Sequence, residues 1–176
     1  MASADTSRPF IPVGIAVLTV SDTRGPGEDR SGDLLVERLL AAGHALADRA
    51  IVHDVIEEIV ARLHAWVDDP GIDCVITTGG TGVTGRDVTP EALHRLGGKD
   101  IPGFGELFRW LSFAKIGTST IQSRACAIVT RGTYIFALPG STGAVRDGWD
   151  DILASQLDNR HTPCNFVELM PRLTER

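Results

Sequence analysis

Short, continuously apolar runs alternate with longer amphipathic stretches along the first half of the chain. Residues 13–20 (VGIAVLTV) are apolar at nearly every position and rich in β-branched side chains. That pattern predicts a strand covered on both faces. A polar loop follows. Leu34, Leu35, Leu39 and Leu40 then predict a helix with Ser31 as its N-cap and Gly43 as its stop. Residues 47–52 (ADRAIV) read as a second, shorter strand, and Ile56, Val60, Leu63 and Val67 recur at helical spacing up to the breaker DDPG. Residues 74–78 (CVITT) form the third predicted strand, with Thr89 capping the next helix and Pro90 at its first position.

The later part differs. Residues 125–130 (ACAIVT) and 133–138 (TYIFAL) flank Arg131-Gly132, which predicts a tight hairpin and an antiparallel pair. Val145, Trp149, Ile152, Leu153 and Leu157 share one face of a closing helix. Strand–helix alternation implies parallel strands with helices on both faces, so the expected fold is one mixed α/β domain. Residues 1–12, polar and with two prolines, are expected as a loose tail, leaving 13–176 as the domain.

Open α/β sheets bind ligands outside the carboxyl ends of their parallel strands. The unusual loops fall at those ends: residues 21–32 after the first strand, His53-Asp54 after the second, residues 79–87 after the third and residues 139–143 after the last. The third loop holds Gly79, Gly80, Gly82 and Gly85 within seven residues. Glycines let the backbone take positive φ and let a ligand approach its N–H groups. Thr77, Thr78 and Thr81 add hydroxyls. No Gly-Lys-Ser/Thr follows, and the dinucleotide spacing is absent. The residues alone leave two readings open, a sharp turn or an anion seat.

Asp87 lies beside a helix N-terminus and is either a solvated loop carboxylate or a ligand for Mg²⁺ on a phosphate. Asp54 either caps the helix after it or supplies a second carboxylate. Ser141 and Thr142 either cap the last helix or join an anion site. Arg124 is either solvated or the cation that such a pocket needs. Phe104, Phe108, Trp110 and Phe113 are unevenly spaced and suit a core or subunit interface better than a stacking platform.

Composition narrows the classes. At 176 residues one core suffices without disulfides or a structural metal. A net charge of −6 without long like-charged runs argues against general nucleic-acid or anionic-membrane binding, though not against a small anionic ligand. Cys74, Cys126 and Cys164 are odd in number and far apart, the five histidines are scattered, and none has zinc-ligand spacing. Residues 10–20 lack a basic leader and a small-residue cleavage site, and no run is long enough to span a bilayer. The protein is expected to be soluble and cytoplasmic.

Five segments carry a resemblance: VLTVSDTR, DRSG, VITTGGTGVTGRDVTPEAL, PGFGELFRWLSFAKIGTSTIQSRA and LPGSTGAV. Together and in order, over residues 13–166, the chain resembles the MoaB/MogA family of molybdenum cofactor biosynthesis proteins. LSFAKIGTSTIQSRA and the late TPCNF resemble its MoaB branch. The resemblance implies a three-layer α/β/α sandwich, mostly parallel with an antiparallel hairpin, assembling as a homotrimer or hexamer. It implies binding of molybdopterin, a pterin bearing a dithiolene and a terminal phosphate. Active members join AMP from Mg-ATP to that phosphate and release pyrophosphate. By position, Asp87 and Asp54 match the catalytic carboxylates, with Asp87 the magnesium ligand. Thr78, Gly79, Gly80, Thr81 and Gly82 match the pocket floor, and Ser21, Asp22, Ser31 and Gly32 its first-loop wall. Arg124, Pro139, Gly140 and Ser141 match the side lining the pterin phosphate. The context VHDV around Asp54 departs from the family's commoner Pro-Asp. Adenylyl transfer is thus the expected activity, with a molybdopterin carrier or assembly protein as the alternative. Other cofactor-biosynthesis enzymes are candidate partners.

Overall fold

The computed structural model of the protein describes residues 3–25 and 27–175. In chain order the first elements are β1 (Ser3–Ala4), β2 (Gly14–Val20), α1 (Arg30–Ala41), β3 (Ala45–Val52), α2 (Ile56–Val67) and β4 (Cys74–Thr78). Then come α3 (Thr89–Leu96), β5 (Lys99–Asp100), α4 (Pro102–Ile116) with a 3₁₀ turn (Gly117–Gln122), β6 (Cys126–Thr130) and β7 (Thr133–Leu138). The chain closes with α5 (Thr142–Gly148), a π-helical turn (Trp149–Leu153), α6 (Ala154–Gln156), β8 (His161–Thr162), α7 (Phe166–Leu169) and a 3₁₀ turn (Met170–Arg172).

Six strands form one sheet in the order β3-β2-β4-β7-β6-β5, in which β6 runs against the others. Successive residues of β2 point to opposite faces, and both faces are dry. Ile15 and Val17 pack with Leu35, Leu39, Phe104, Val145 and Trp149 on the side of α1, α4 and α5. Ala16, Leu18 and Val20 pack with Ile59, Leu63 and Leu93 on the side of α2 and α3. Two covered faces explain why β2 carries no polar alternation, and they make the fold a three-layer α/β/α sandwich. The β6–β7 hairpin turns at Arg131 (φ 51°) and Gly132 (φ 93°), both left-handed as a two-residue hairpin demands.

Local chemistry corrects several expectations. The cap of α1 is Asp29, which accepts the Gly32 N–H at 3.0 Å, and Ser31 lies inside the first turn. Asp29 is wholly buried because Thr19 Oγ1 donates to it at 2.7 Å and Arg49 pairs with it at 2.8 Å. Leu40 points outward, whereas Leu35 and Leu39 fill the core. Thr89 does not cap α3; its hydroxyl donates to the Gly79 carbonyl at 2.9 Å. The closing helix buries Val145, Trp149, Ile152, Leu153 and Leu157 as expected, through a wider π turn in its middle.

The segment expected as a loose tail is hydrogen-bonded to the other end of the chain from residue 3 onward. β1 pairs antiparallel with β8, Ile11 N–H donates to Asn159 at 2.8 Å, and Asn159 Nδ2 donates to the Pro9 carbonyl at 3.0 Å. Nearby, buried His44 accepts the Val13 N–H at 3.2 Å through Nδ1 and packs against Phe10 and Trp149. Burial holds its pKa below the ordinary histidine value, against the opposing pull of Asp158. The unfolded chain therefore binds more protons than the folded one, and stability rises with pH through this range. Stability should fall as pH drops below about 6.5, by at most about 1.4 kcal/mol per unit from this residue. Urea titrations between pH 5 and 8 should show a shallower slope in His44→Gln.

Candidate functional site

β2 continues through α1 to β3 on one side and the chain then crosses to β4 on the other, so the strand order reverses between β2 and β4. At such a switch point the loops leaving two adjacent strands diverge and open a crevice. A cleft of about 450 Å³ lies there, lined by residues 20–24, Asp54, residues 79–82, Arg86, Asp87, Pro139 and Gly140.

The floor is backbone packed on backbone. Gly79 N–H donates to the Leu138 carbonyl at 3.0 Å, tying β4 to β7 beyond the ladder. Gly79 has φ 107°, and a Cβ on it would stand 2.1 Å from the Val20 carbonyl oxygen. Gly80 has φ 64°, with Thr89 Oγ1 2.4 Å from where its Cβ would be. Thr78 is buried beneath, its hydroxyl donating to the Pro139 carbonyl at 3.2 Å. Thr81 is 2% exposed, and its hydroxyl has no hydrogen-bond partner among the described residues. A buried unpaired hydroxyl carries a desolvation cost that a bound oxygen or N–H would remove.

The carboxylates differ in environment. Asp54 does not cap α2; Val55 holds that position. Instead Asp54 accepts the Asp22 N–H at 3.1 Å while Asp22 accepts the Asp54 N–H at 3.0 Å, a reciprocal pair that locks the first loop to the end of β3. Burial and the neighbouring Asp22 charge push the Asp54 pKa up. For Asp87, burial acts upward but is outweighed by the Thr84 hydroxyl and N–H, the Gly82 N–H and the Arg124 charge, so its pKa is held below the usual carboxylate value. Thr84 donates to Asp87 Oδ2 through Oγ1 at 2.7 Å and through its N–H at 2.9 Å.

The expected site residues thus separate into three groups. Ser21, Asp22, Asp54, Gly79, Gly80, Thr81, Gly82, Asp87, Pro139 and Gly140 line the cleft together. Ser141 caps α5 through the Ala144 N–H at 3.1 Å and faces an adjoining cleft of about 340 Å³. That second cleft shares Thr81, Gly82 and Pro139 with the first and is bounded by Phe108, Ser112, Lys115 and Thr120. Thr78, Ser31, Gly32 and Arg124 line neither cleft. Ser31 and Gly32 brace the Asp29 knot.

Arg124 is a fastener for the glycine-rich loop. Its Nε donates to the Gly82 carbonyl and its Nη2 to the Asp87 carbonyl, each at 2.6 Å, while Nη1 pairs with Glu91. The cations that do line the cleft, Arg24 and Arg86, were missed by sequence reasoning. Arg24 reaches from Ser31 Oγ at 2.7 Å to the Gly140 carbonyl at 2.8 Å, and Arg86 pairs with Asp22. Their signal was their place inside SDTR and GRD, among residues already singled out.

Residues 16–159, which include the sandwich and its glycine-floored cleft, match the family described as a "Probable molybdopterin binding domain". The chain belongs to this family, the MoaB/MogA proteins of molybdenum cofactor biosynthesis. It is 50% identical over 163 residues to molybdenum cofactor biosynthesis protein B of Escherichia coli (strain K12), covering 93% of this chain and 96% of that one. A crystal structure of a molybdenum cofactor biosynthesis protein B superposes with a TM-score of 0.86 at 36% identity, covering 96% of this chain and 100% of that one. The tungsten cofactor synthesizing protein MoaB from Pyrococcus furiosus superposes with a TM-score of 0.77 at 34% identity, over 93% and 98% of the two chains.

The glycines of the loop should differ in tolerance. Gly79→Ala collides with the Val20 backbone and should cost at least about 3 kcal/mol, as overpacking combined with backbone strain does. A Cβ on Gly85 meets nothing within 4 Å, so Gly85→Ala should lie within about 0.5 kcal/mol of wild type. Urea denaturation of both variants measures the contrast.

Proposed function

We propose that this protein binds molybdopterin across the two adjoining clefts and serves cofactor biosynthesis as a carrier or assembly protein. The observation that carries this reading is the shared boundary at Thr81, Gly82 and Pro139 between clefts of different character. The 450 Å³ cleft offers open glycine backbone and arginines to a terminal phosphate, and the 340 Å³ cleft offers Phe108 and Ala144 with Ser112 and Thr120 to a flat ring bearing polar edges. The orphan Thr81 hydroxyl sits between them and would gain a partner from the ligand.

Two of the groups matched to the family site, Arg124 and Asp54, already carry contacts within the protein. All three guanidinium nitrogens of Arg124 hold Glu91 and loop carbonyls, and Asp54 accepts a backbone N–H. The glycine backbone and Arg86 can hold a ligand with both of these contacts in place. A second reading, Mg-ATP-dependent adenylylation of the pterin phosphate, is favoured by Asp87, whose carboxylate is kept ionised on the cleft wall. Among the described residues no group of three or more His, Cys, Asp or Glu side chains is arranged to hold a metal. A divalent ion arriving on ATP would therefore take phosphate oxygens and water as most of its ligands, with Asp87 as the protein's contribution.

We further infer that the protein assembles with copies of itself. Trp110 (71% exposed), Phe113, Ile116 and Ile121 (81%) form an apolar surface along α4 and the turn after it. An apolar surface of this kind suits a homotrimer or hexamer. Light scattering should give a mass above one chain, and Trp110→Glu combined with Ile121→Glu should shift it toward the monomer.

The carrier reading predicts that anaerobic titration with molybdopterin gives saturable binding, that Asp87→Asn changes affinity less than about threefold, and that added Mg-ATP releases no pyrophosphate. Stoichiometric pyrophosphate together with adenylylated pterin, lost in Asp87→Asn, would replace it with the second reading.

A further inference from the structure

The cleft that the proposed function assigns to a phosphate contains Asp22, Asp54 and Asp87 against Arg24 and Arg86. Its formal balance is therefore acidic, which opposes a phosphate monoester unless a cation can be turned toward it. Arg24 is committed to the frame: one terminal nitrogen holds Ser31 and the other holds the Gly140 carbonyl. Arg124 is committed in the same way, to Glu91 and to the carbonyls of Gly82 and Asp87, and does not line this cleft. Arg86 is different. Its side chain is 76% exposed, it rises from the loop after β4, and it pairs with a carboxylate of the cleft itself, Asp22 on the loop after β2.

From this arrangement we propose that Arg86 is the residue that selects and holds the ligand's phosphate, and that Asp22 is an internal competitor which it must leave. The proposal rests on the binding role above and names the specificity-determining side chain within it. In the free protein the Arg86–Asp22 ion pair joins the two loops that flank the cleft. A phosphate monoester offers two charges and several oxygens to a guanidinium, and can displace a single carboxylate by forming a bidentate contact. Asp22 keeps a place after the exchange, because its Oδ1 continues to accept the Asp54 N–H. The side chain holds that backbone contact through one oxygen and Arg86 through the other, Oδ2. The exchange therefore costs one ion pair, between an exposed arginine and a mostly buried aspartate, and leaves the reciprocal Asp22–Asp54 lock in place. With the guanidinium in solvent the pair is well screened, so the competitor tunes the site without closing it.

Calorimetric titration of wild type, Arg86→Ala, Asp22→Asn and the double variant with two ligands, molybdopterin and inorganic pyrophosphate, tests the assignment. Asparagine keeps the Oδ1 acceptor toward Asp54 and removes the charge facing Arg86. Arg86→Ala should weaken both ligands by roughly 10- to 100-fold, the range for losing a hydrogen bond to a charged group. Asp22→Asn should tighten both, and that gain should vanish in the Arg86→Ala background, since it acts through the freed guanidinium. A residue that merely braced the loops would instead weaken binding when replaced. Unchanged affinity in Arg86→Ala, or an Asp22→Asn gain that survives without Arg86, overturns the proposal. Wild type that binds pyrophosphate but not molybdopterin overturns the molybdopterin reading, while the variants still decide the role of Arg86 on pyrophosphate. Failure to bind either ligand overturns both.

Discussion

The close approach of Gly79 to the end of β2 is the constraint on which the cleft depends. With no side chain there, the chain leaving β4 turns under the Val20 carbonyl and donates its N–H to Leu138 of β7. Gly140 repeats the device from the other side, since a Cβ on it would lie 3.2 Å from the Gly79 Cα. Three parallel strands are thus drawn together at their carboxyl ends through main chain alone. The loops beyond them must diverge, because α1 and α3 lie on opposite faces of the sheet. A site made this way is largely preformed: its floor is set by hydrogen bonds and close backbone contact before any ligand arrives.

Around that floor the charges are arranged in opposition. Asp54 is disposed to hold a proton by burial and by Asp22, whereas Asp87 is disposed to lose one through its hydrogen bonds from Thr84. Two carboxylates packed against the same glycine-rich loop are therefore not interchangeable. Asp87 keeps a standing negative charge on the cleft wall, while Asp54 is bonded to the first loop. The arginines divide in the same way. Arg24, Arg49 and Arg124 spend their forked donors on carbonyls, a hydroxyl and buried or half-buried carboxylates, where planar geometry rewards a fixed partner.

The layers of the fold were readable from pattern because burial on both faces erases polar alternation from β2 and β4, while the helices keep their amphipathic spacing. The rim was readable too, since loops rich in glycine, threonine and aspartate fell at the carboxyl ends of successive strands. Local choices were not. Ser31 and Asp29 are both acceptable caps, and only Thr19 and Arg49, distant in sequence, decide for Asp29. Asp54 could satisfy its own helix or a neighbouring loop, and the tertiary contact with Asp22 won. Arg124 looked like a ligand for phosphate because its role depends on Glu91 and two carbonyls that come near only in the folded chain. The π turn at Trp149–Leu153 leaves no mark on the apolar spacing, so the closing helix read as regular.

These divisions bear on what the cleft can do. Catalysis of phosphoryl transfer by electrostatics requires positive groups fixed in advance where charge will develop, since moving them at that moment forfeits the gain. Here Arg24 ties the cleft walls together from Ser31 to Gly140, and Arg124 is bonded to Glu91 and to the loop carbonyls of Gly82 and Asp87. The side chain free to face a ligand, Arg86, is held by an acid of the protein's own. A cation that must exchange partners on binding returns to the first partner on release, which moderates affinity in both directions. On the proposed carrier reading, that exchange is what lets the site take up a phosphorylated ligand and pass it on.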